Sequence, residues 1–244
     1  MSQGPVNSRI EDVAVVVFAK PPDEGKVKTR LARDIGDAMA TGLYRCFLAD
    51  ISAMVSDFVA RSDAAVTPIV AYNRDAQHAG YAEFRRRGFR FWDQGEGDLG
   101  ARMAAVSQRC FDAGARRVVI IGADSPTLSP RHLRNALEAL DAHDIALGAS
   151  FDGGYYLVAM RRASPQIFKG IDWSTDQVLA QTVAACRASS LLCATLEFWY
   201  DVDTFGDLIF LKTHLLSVLQ ECESESVLAT ARYLEKLDAA GVFS

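Results

Sequence analysis

Short β-branched runs alternating with longer amphipathic segments predict an α/β chain, a three-layer α/β/α sandwich around a mostly parallel sheet. Two runs carry most of that expectation. Val13–Ala19 (VAVVVFA) and Val118–Gly122 (VVIIG) are apolar at every position, as strands covered on both faces by helices must be. The third observation is composition. The 244 residues are 50% hydrophobic and 23% charged, a balance that supports a packed core and not a disordered chain. At about 150 residues per domain the length allows one large domain or two small ones. No repeat, low-complexity tract or Pro/Gly-rich linker divides it, so one domain over 1–244 is expected, with a core over about 13–210 and a helical region over about 204–244.

The elements follow in order. After the first strand, Gly36 to Val59 reads as a long helix, with Met39, Leu43, Phe47, Ile51, Met54, Val55 and Phe58 near a 3.6 period. Pro68–Tyr72 is a second strand, and a basic helix around Glu83–Arg87 ends at Gly88. Phe89–Trp92 is a third strand, and Leu99–Ala113 a helix closed by Gly114. After Val118–Gly122, Ser129-Pro130 supplies an N-cap and a first-turn proline for a helix through Leu140. Ile145–Ala149 and Tyr155–Met160 flank Asp152-Gly153-Gly154 as a hairpin. Ser174 with Gln177 predicts a capping box for a helix to about Ala188. A short strand over Leu192–Leu196 precedes a terminal helical region from Asp203 or Thr204.

Composition excludes several classes. Lys and Arg number 26 against 31 Asp and Glu, a net charge of −5, which disfavours a nucleic-acid partner. The longest apolar run is Val13–Ala19, far short of the ~20 residues a membrane helix needs. The start MSQGPVNSRIED has no basic-then-apolar leader, so a cytoplasmic location is expected. Five cysteines (Cys46, Cys110, Cys186, Cys193, Cys222) include no C-x-x-C pair, and the four histidines are isolated. That pattern suits reduced thiols and argues against zinc, leaving carboxylates as the ligands for any metal.

Four segments could carry chemistry. The loop leaving the first strand, Lys20-Pro-Pro-Asp-Glu-Gly25-Lys26-Val-Lys28-Thr29-Arg30, gathers four cations where open α/β sheets bind ligands. These groups suit a di- or triphosphate, although the segment is no P-loop and a solvated basic loop explains it too. Gly95-Glu-Gly97-Asp98-Leu99-Gly100 is a literal G-x-G-x-x-G, but it follows the third strand instead of the first. A dinucleotide fingerprint, a plain helix entry with Asp98 at its start, and a substrate-facing turn through Gly97 and Leu99 all remain open. Asp124 ends an apolar strand and Asp201-Val202-Asp203 is a D-x-D. Asp124 and Asp203 could hold a phosphate-bound Mg²⁺ if the fold joins them, or be a turn residue and a helix cap. Asp152-Gly153-Gly154 permits close backbone approach to a ligand and equally makes a tight turn, and Trp173 either lines a pocket or packs.

Taken together, FAKPPDEGKVKTRLA, GDLGARM, IIGADSPTL, DGGYYLVAM, WSTD and DVDTFGDL run in this order from residue 13 to about 210. The set resembles the bacterial glycosyltransferase-A-fold family of nucleotide-diphospho-sugar transferases, which includes arsenosugar-biosynthesis glycosyltransferases. It is more distantly similar to the molybdenum-cofactor and phospholactate guanylyltransferases. The resemblance implies a nucleotide-diphospho-sugar transferase-type sandwich with Mg²⁺ or Mn²⁺ on Asp124 and Asp203. It places Lys20, Gly25, Lys26, Lys28, Thr29, Arg30, Gly97 and Leu99 at the nucleotide and its phosphates. It places Asp152, Gly153, Gly154 and Trp173 at the acceptor. Lys28 and Arg30 would offset charge on the leaving group, and Asp152 could act as base. Ala123, Ala149 and Phe205 stand where the family pattern has a small hydroxyl residue, a proline and a proline. The function expected is nucleotidyl or glycosyl transfer from a nucleotide or nucleotide-sugar to a small acceptor. A nucleotide-binding module without turnover, or an NAD(P) oxidoreductase using Gly95–Gly100, are the alternatives.

Overall fold

A computed structural model describes residues 9–221 and 228–243; Cys222 and most of the MSQGPVNSRIED stretch lie outside those residues. One sheet of seven strands runs through the molecule: β1 (Val13–Ala19), β2 (Val66–Tyr72), β3 (Arg90–Asp93), β4 (Arg117–Gly122), β5 (Ile145–Ser150), β6 (Tyr155–Met160) and β7 (Cys193–Trp199). Their spatial order is β3-β2-β1-β4-β6-β5-β7. Only β6 runs against its neighbours, pairing antiparallel with β4 and β5; the other pairings are parallel.

The helices are α1 (Thr29–Ile35), α2 (Asp37–Arg61), α3 (Ala82–Arg86), α4 (Leu99–Asp112), α5 (Pro130–Ala139), α6 (Val178–Ala188), α7 (Phe205–Glu221) and α8 (Leu228–Ala239). Why both faces of β1 are apolar is now visible. Val13, Val15 and Val17 pack with Leu43, Phe47 and Ile51 of α2 and Leu133 of α5. Ala14 and Val16 point the other way, into Met103, Val106 and Cys110 of α4 and Cys186 of α6. A period of 2 in a doubly covered strand thus feeds two separate cores, and the α/β/α sandwich follows.

Most predicted elements are present within a few residues. Three details differ. The loop after β1 ends at Lys28, because Thr29 and Arg30 already belong to α1, a helix the charged sequence concealed. The expected Ser174/Gln177 capping box does not form: Ser174 takes a left-handed φ of 66°, and α6 begins at Val178 with no side-chain cap. The last strand extends to Trp199, past Leu196. By contrast, Ser129 does cap α5, in a reciprocal box with His132 and with Pro130 in the first turn. Among the described residues no helix is long and apolar enough to cross a membrane.

Candidate active site

The chain turns one way from β1, through α2 to β2, while β4 lies on β1's other side. The carboxyl ends of β1 and β4 therefore flank a topological switch point, where open α/β sheets form a ligand crevice. A cleft of about 540 Å³ opens there. Its walls include Lys20, Lys26, Lys28, Thr29 and Arg30 from the segment after β1, Asp124 after β4, and Asp152 and Gly154 from the β5–β6 turn. Leu99 of α4, Trp173, Asp201 and Asp203 line it as well.

Lys28 organises the centre. Its Nζ lies 2.5 Å from Asp124 Oδ1 and 2.8 Å from Asp203 Oδ1, and its side chain is only 2% exposed. The ammonium sits 5.9 Å from the ring centre of Tyr44 and 5.6 Å from that of Phe47, both on α2. Lys28 is also the residue that turns the chain into α1, at a left-handed φ of 49°. Burial disfavours its charge, but Asp124 and then Asp203 outweigh burial and raise its pKa. Burial likewise opposes ionisation of Asp203, and the Lys28 ammonium overrides it, so that carboxyl stays below its ordinary range. Lys28, expected at the phosphates, lines the cleft and pairs there with the two carboxylates.

Two devices bring Asp203 to Asp124. The Val202 N–H donates to the Asp124 carbonyl at 3.0 Å, which lays Asp201-Val202-Asp203 beside the end of β4. Thr204, and not Asp203, caps α7: Asp207 Oδ2 accepts from the N–H groups of Asp203 and Thr204 at 3.0 and 2.7 Å, and the Thr204 hydroxyl accepts from the Asp207 N–H. The Asp203 side chain is thereby released to the cleft. Behind this strip, Trp199 Nε1 donates to the Thr127 hydroxyl at 3.1 Å, and Thr127 reaches Tyr200 at 3.0 Å.

The β5, β6 and β7 side of the cleft is acidic. Asp152 Oδ1 accepts from the Ser150 hydroxyl and, at 2.9 Å, from the Gly154 N–H, which fixes the carboxylate at the turn. Burial, then the charges of Asp152 and Asp203, push the Asp201 carboxyl up to about 6. The β1 side carries the cations Lys20, Lys26 and Arg30, with Arg30 4.0 Å from Asp203 Oδ2.

Three of the predicted site residues do not line the cleft. Gly25 and Gly97 turn the backbone at φ 73° and 94°. Gly153 sits at φ 86°, where a Cβ would stand 2.2 Å from the Asp176 carbonyl, so it serves close packing of the turn. The G-x-G-x-x-G has a local explanation as well. Asp98 caps α4, accepting from the Ala101 N–H at 2.7 Å. Gly100 makes room for Trp173, whose Cζ2 lies 2.7 Å from where a Cβ would be. Ala123 is buried in the core and does not line the cleft.

Sequence reasoning missed Gln94 and Arg102, which also line the cleft. Buried Gln94 donates to the Ala71 and Ala19 carbonyls at 2.7 and 3.4 Å, and its Oε1 accepts from Arg102 at 3.1 Å. Nothing in the local sequence marks a glutamine that bridges two strand ends. Asp201 was visible only as part of the D-x-D.

Metal fit rests on the donor set. Asp124 and Asp203 are 49% and 36% exposed and line the cleft, and Lys28 pairs with Oδ1 of each. Among the described residues no three His, Cys, Asp or Glu side chains form a cage. A pair of carboxylates completed by waters and phosphate oxygens is what Mg²⁺ ordinarily takes. The residues fit such an ion.

The fold is that of the nucleotide-diphospho-sugar transferase class. A candidate nucleotide-diphospho-sugar transferase from Desulfovibrio desulfuricans G20 is 33% identical, with 94% of this chain and 96% of that one covered at a TM-score of 0.80. Residues 57–175 match the family described as "Uncharacterized protein conserved in bacteria (DUF2064)", and the chain belongs to that family. Two remoter structures share the fold. CMP:2-keto-3-deoxy-manno-octonic acid synthetase in complex with CTP is 13% identical over 85% of this chain and 99% of that one, with a TM-score of 0.51. The 4-diphosphocytidyl-2C-methyl-D-erythritol synthase of Anaerococcus prevotii DSM 20548 is 10% identical over 84% and 99%, with a TM-score of 0.56. No protein of curated function matches the chain.

Proposed function

We propose that the protein is a glycosyl transferase that takes a nucleoside diphospho-sugar and passes the sugar to a small, uncharged hydroxyl acceptor. The observation that carries this reading is the separation of charge along the cleft. Lys20, Lys26 and Arg30 stand on the β1 side, and Asp152 and Asp201 on the β5, β6 and β7 side, with no Lys or Arg among the described residues lining that second side. A diphosphate belongs beside the cations, where charge-assisted hydrogen bonds form. A phosphorylated acceptor would meet two carboxylates, whereas a neutral hydroxyl meets two groups able to accept its proton. The name of the Desulfovibrio relative, 33% identical, agrees with this donor class.

In the proposed reaction Lys26 and Arg30 hold the diphosphate and stabilise charge as it departs. Asp152, its Oδ1 already engaged by Ser150 and Gly154, receives the acceptor proton on its other oxygen. Leu99 and Trp173 exclude water from the walls. Asp124 and Asp203 would hold Mg²⁺ or Mn²⁺, which supplies Lewis-acid stabilisation of the leaving diphosphate.

The charges on the β1 side alone would also serve a nucleoside triphosphate, which is why nucleotidyl transfer is the second reading. One experiment separates them. Purified protein is incubated with Mg²⁺ and either nucleoside diphospho-sugars or nucleoside triphosphates, together with neutral and phosphorylated acceptors. Release of nucleoside diphosphate with a neutral acceptor is expected. Pyrophosphate released from a triphosphate instead makes the protein a nucleotidyltransferase. Binding with neither product makes it a nucleotide-binding module.

A further inference from the structure

We infer that Lys28 is a resident cation that keeps the Asp124–Asp203 pair from binding a free divalent ion, so that the metal enters only in company with the nucleotide's phosphates. The inference deepens the metal-binding part of the function proposed above. Two carboxylates facing one cleft would carry two negative charges. With the Lys28 ammonium 2.5 and 2.8 Å from an oxygen of each, the trio carries one. Arg30, 4.0 Å from the second oxygen of Asp203, reduces the field further.

Lys28 has nowhere else to go. Its side chain is 2% exposed, with its ammonium held against the two carboxylates in the wall of the cleft. The rings of Tyr44 and Phe47 wall its ammonium on the α2 side. Its backbone is committed to the left-handed turn that opens α1. A lysine on a mobile loop could swing out to a phosphate and leave the pair to a metal. This one is packed against α2 and paired with both carboxylates.

A hydrated divalent ion arriving alone gives up water reluctantly and meets a single net negative charge with a fixed cation just behind it. An ion already bound to a di- or triphosphate brings its own negative charges, and these find Lys20, Lys26 and Arg30 on the facing wall. Metal and nucleotide should therefore bind with positive coupling, each raising the affinity for the other by the same factor.

Manganese is the probe, because the paramagnetic resonance signal of the free ion disappears on binding. Three titrations are compared: wild type with Mn²⁺ alone, wild type with Mn²⁺ and UDP, and Lys28→Met with Mn²⁺ alone. Wild type alone is expected not to saturate below about 1 mM, and Lys28→Met to bind about 10- to 100-fold more tightly. Equal affinities for wild type and the methionine variant would overturn the inference. So would wild-type binding of Mn²⁺ alone below about 0.1 mM, a measurement that stands even if the variant does not fold. Failure of UDP to bind at all would count against the proposed function, while the two arms without nucleotide still decide the role of Lys28.

Discussion

Asp50 offers a sharp test of how the C-terminal helix is attached to the floor of the site. It lies in the middle of α2, one turn beyond Phe47, and is only 3% exposed. Its carboxylate accepts from the N–H groups of Ala229 and Thr230 at 3.1 and 2.8 Å, so it caps the first turn of α8 from another helix. Burial pushes its pKa up to about 6 from 3.8, against the lowering effect of those hydrogen bonds and of the Arg87 charge. The folded state thus binds the proton more tightly than the unfolded chain. Between those two values stability falls as pH rises, by about 3 kcal/mol at 1.36 kcal/mol per pKa unit. Asp50→Asn resembles the protonated carboxyl and removes the titration. It forgoes the ~3 kcal/mol loss and in turn buries an amide N–H₂ without an acceptor, at about 1–3 kcal/mol. At pH 7 it should therefore equal or exceed the wild type by up to about 2 kcal/mol. At pH 4 it should be the less stable of the two. Asp50→Ala instead orphans both N–H groups of α8 and should lose about 2–4 kcal/mol at pH 4. Urea unfolding at pH 4, 5, 6 and 7 reads these differences directly, each variant against wild type so that other titrations cancel. A wild-type minus Asn difference that is flat over that range would refute the argument that burial governs this carboxylate.

Three further outcomes are expected. Lys26→Ala and Arg30→Ala should each weaken nucleotide binding about 3- to 10-fold at low salt, less at high salt, because both side chains are well exposed and screened; unchanged affinity at both ionic strengths would remove the loop from the phosphate site. Gly153→Ala should lower stability by about 2 kcal/mol or more through its left-handed φ and the 2.2 Å approach to the Asp176 carbonyl, while Gly88→Ala, with open space at its Cβ, should cost less than half of that; equal losses in urea unfolding would contradict the packing argument. NAD(H) and NADP(H) at micromolar concentration should leave tryptophan fluorescence unquenched, since Asp98 already occupies the α4 N-terminus that a pyrophosphate would need; saturable quenching would restore the oxidoreductase alternative.

How much of this was legible in the sequence depends on how local each cause is. β1 and β4 read directly, because a doubly covered strand must be apolar at every position. Ser129-Pro130 read directly because a cap and a first-turn proline act within four residues. α1 did not, since Thr29–Ile35 mixes charges that suit a loop equally well and is shorter than the ~12 residues at which helical periodicity becomes persuasive. Ser174 has the letters of a capping box but sits in a left-handed turn imposed by the chain around Trp173. The chemistry of the site was visible as residue types, not as partners. Lys28 looked like one of several loop cations, and only the fold shows it sealed against α2.

The burial of Lys28 also binds the chemistry to the core more tightly than a surface loop would. Tyr44 and Phe47 belong at once to the hydrophobic core under β1 and to the wall around the ammonium. The Tyr44 hydroxyl further accepts from the Lys20 N–H at 3.1 Å, so the same ring fixes where the basic segment leaves the strand. A cavity made in α2 would therefore be felt at the carboxylate pair. Conversely, removing Lys28 leaves Asp124 and Asp203 facing each other with only the more distant, exposed Arg30 as counter-charge, a change that costs a buried ion pair about 3–5 kcal/mol. Half exposure of the two carboxylates brings that toward the lower end, because water reaches them where it does not reach the lysine. A divalent ion supplied with nucleotide can replace the missing charge. Added together, the two ligands should stabilise a Lys28→Met variant more than they stabilise the wild type, and apparent melting temperatures with and without them measure that difference. Equal stabilisation would mean that the ion does not take up the charge Lys28 leaves behind.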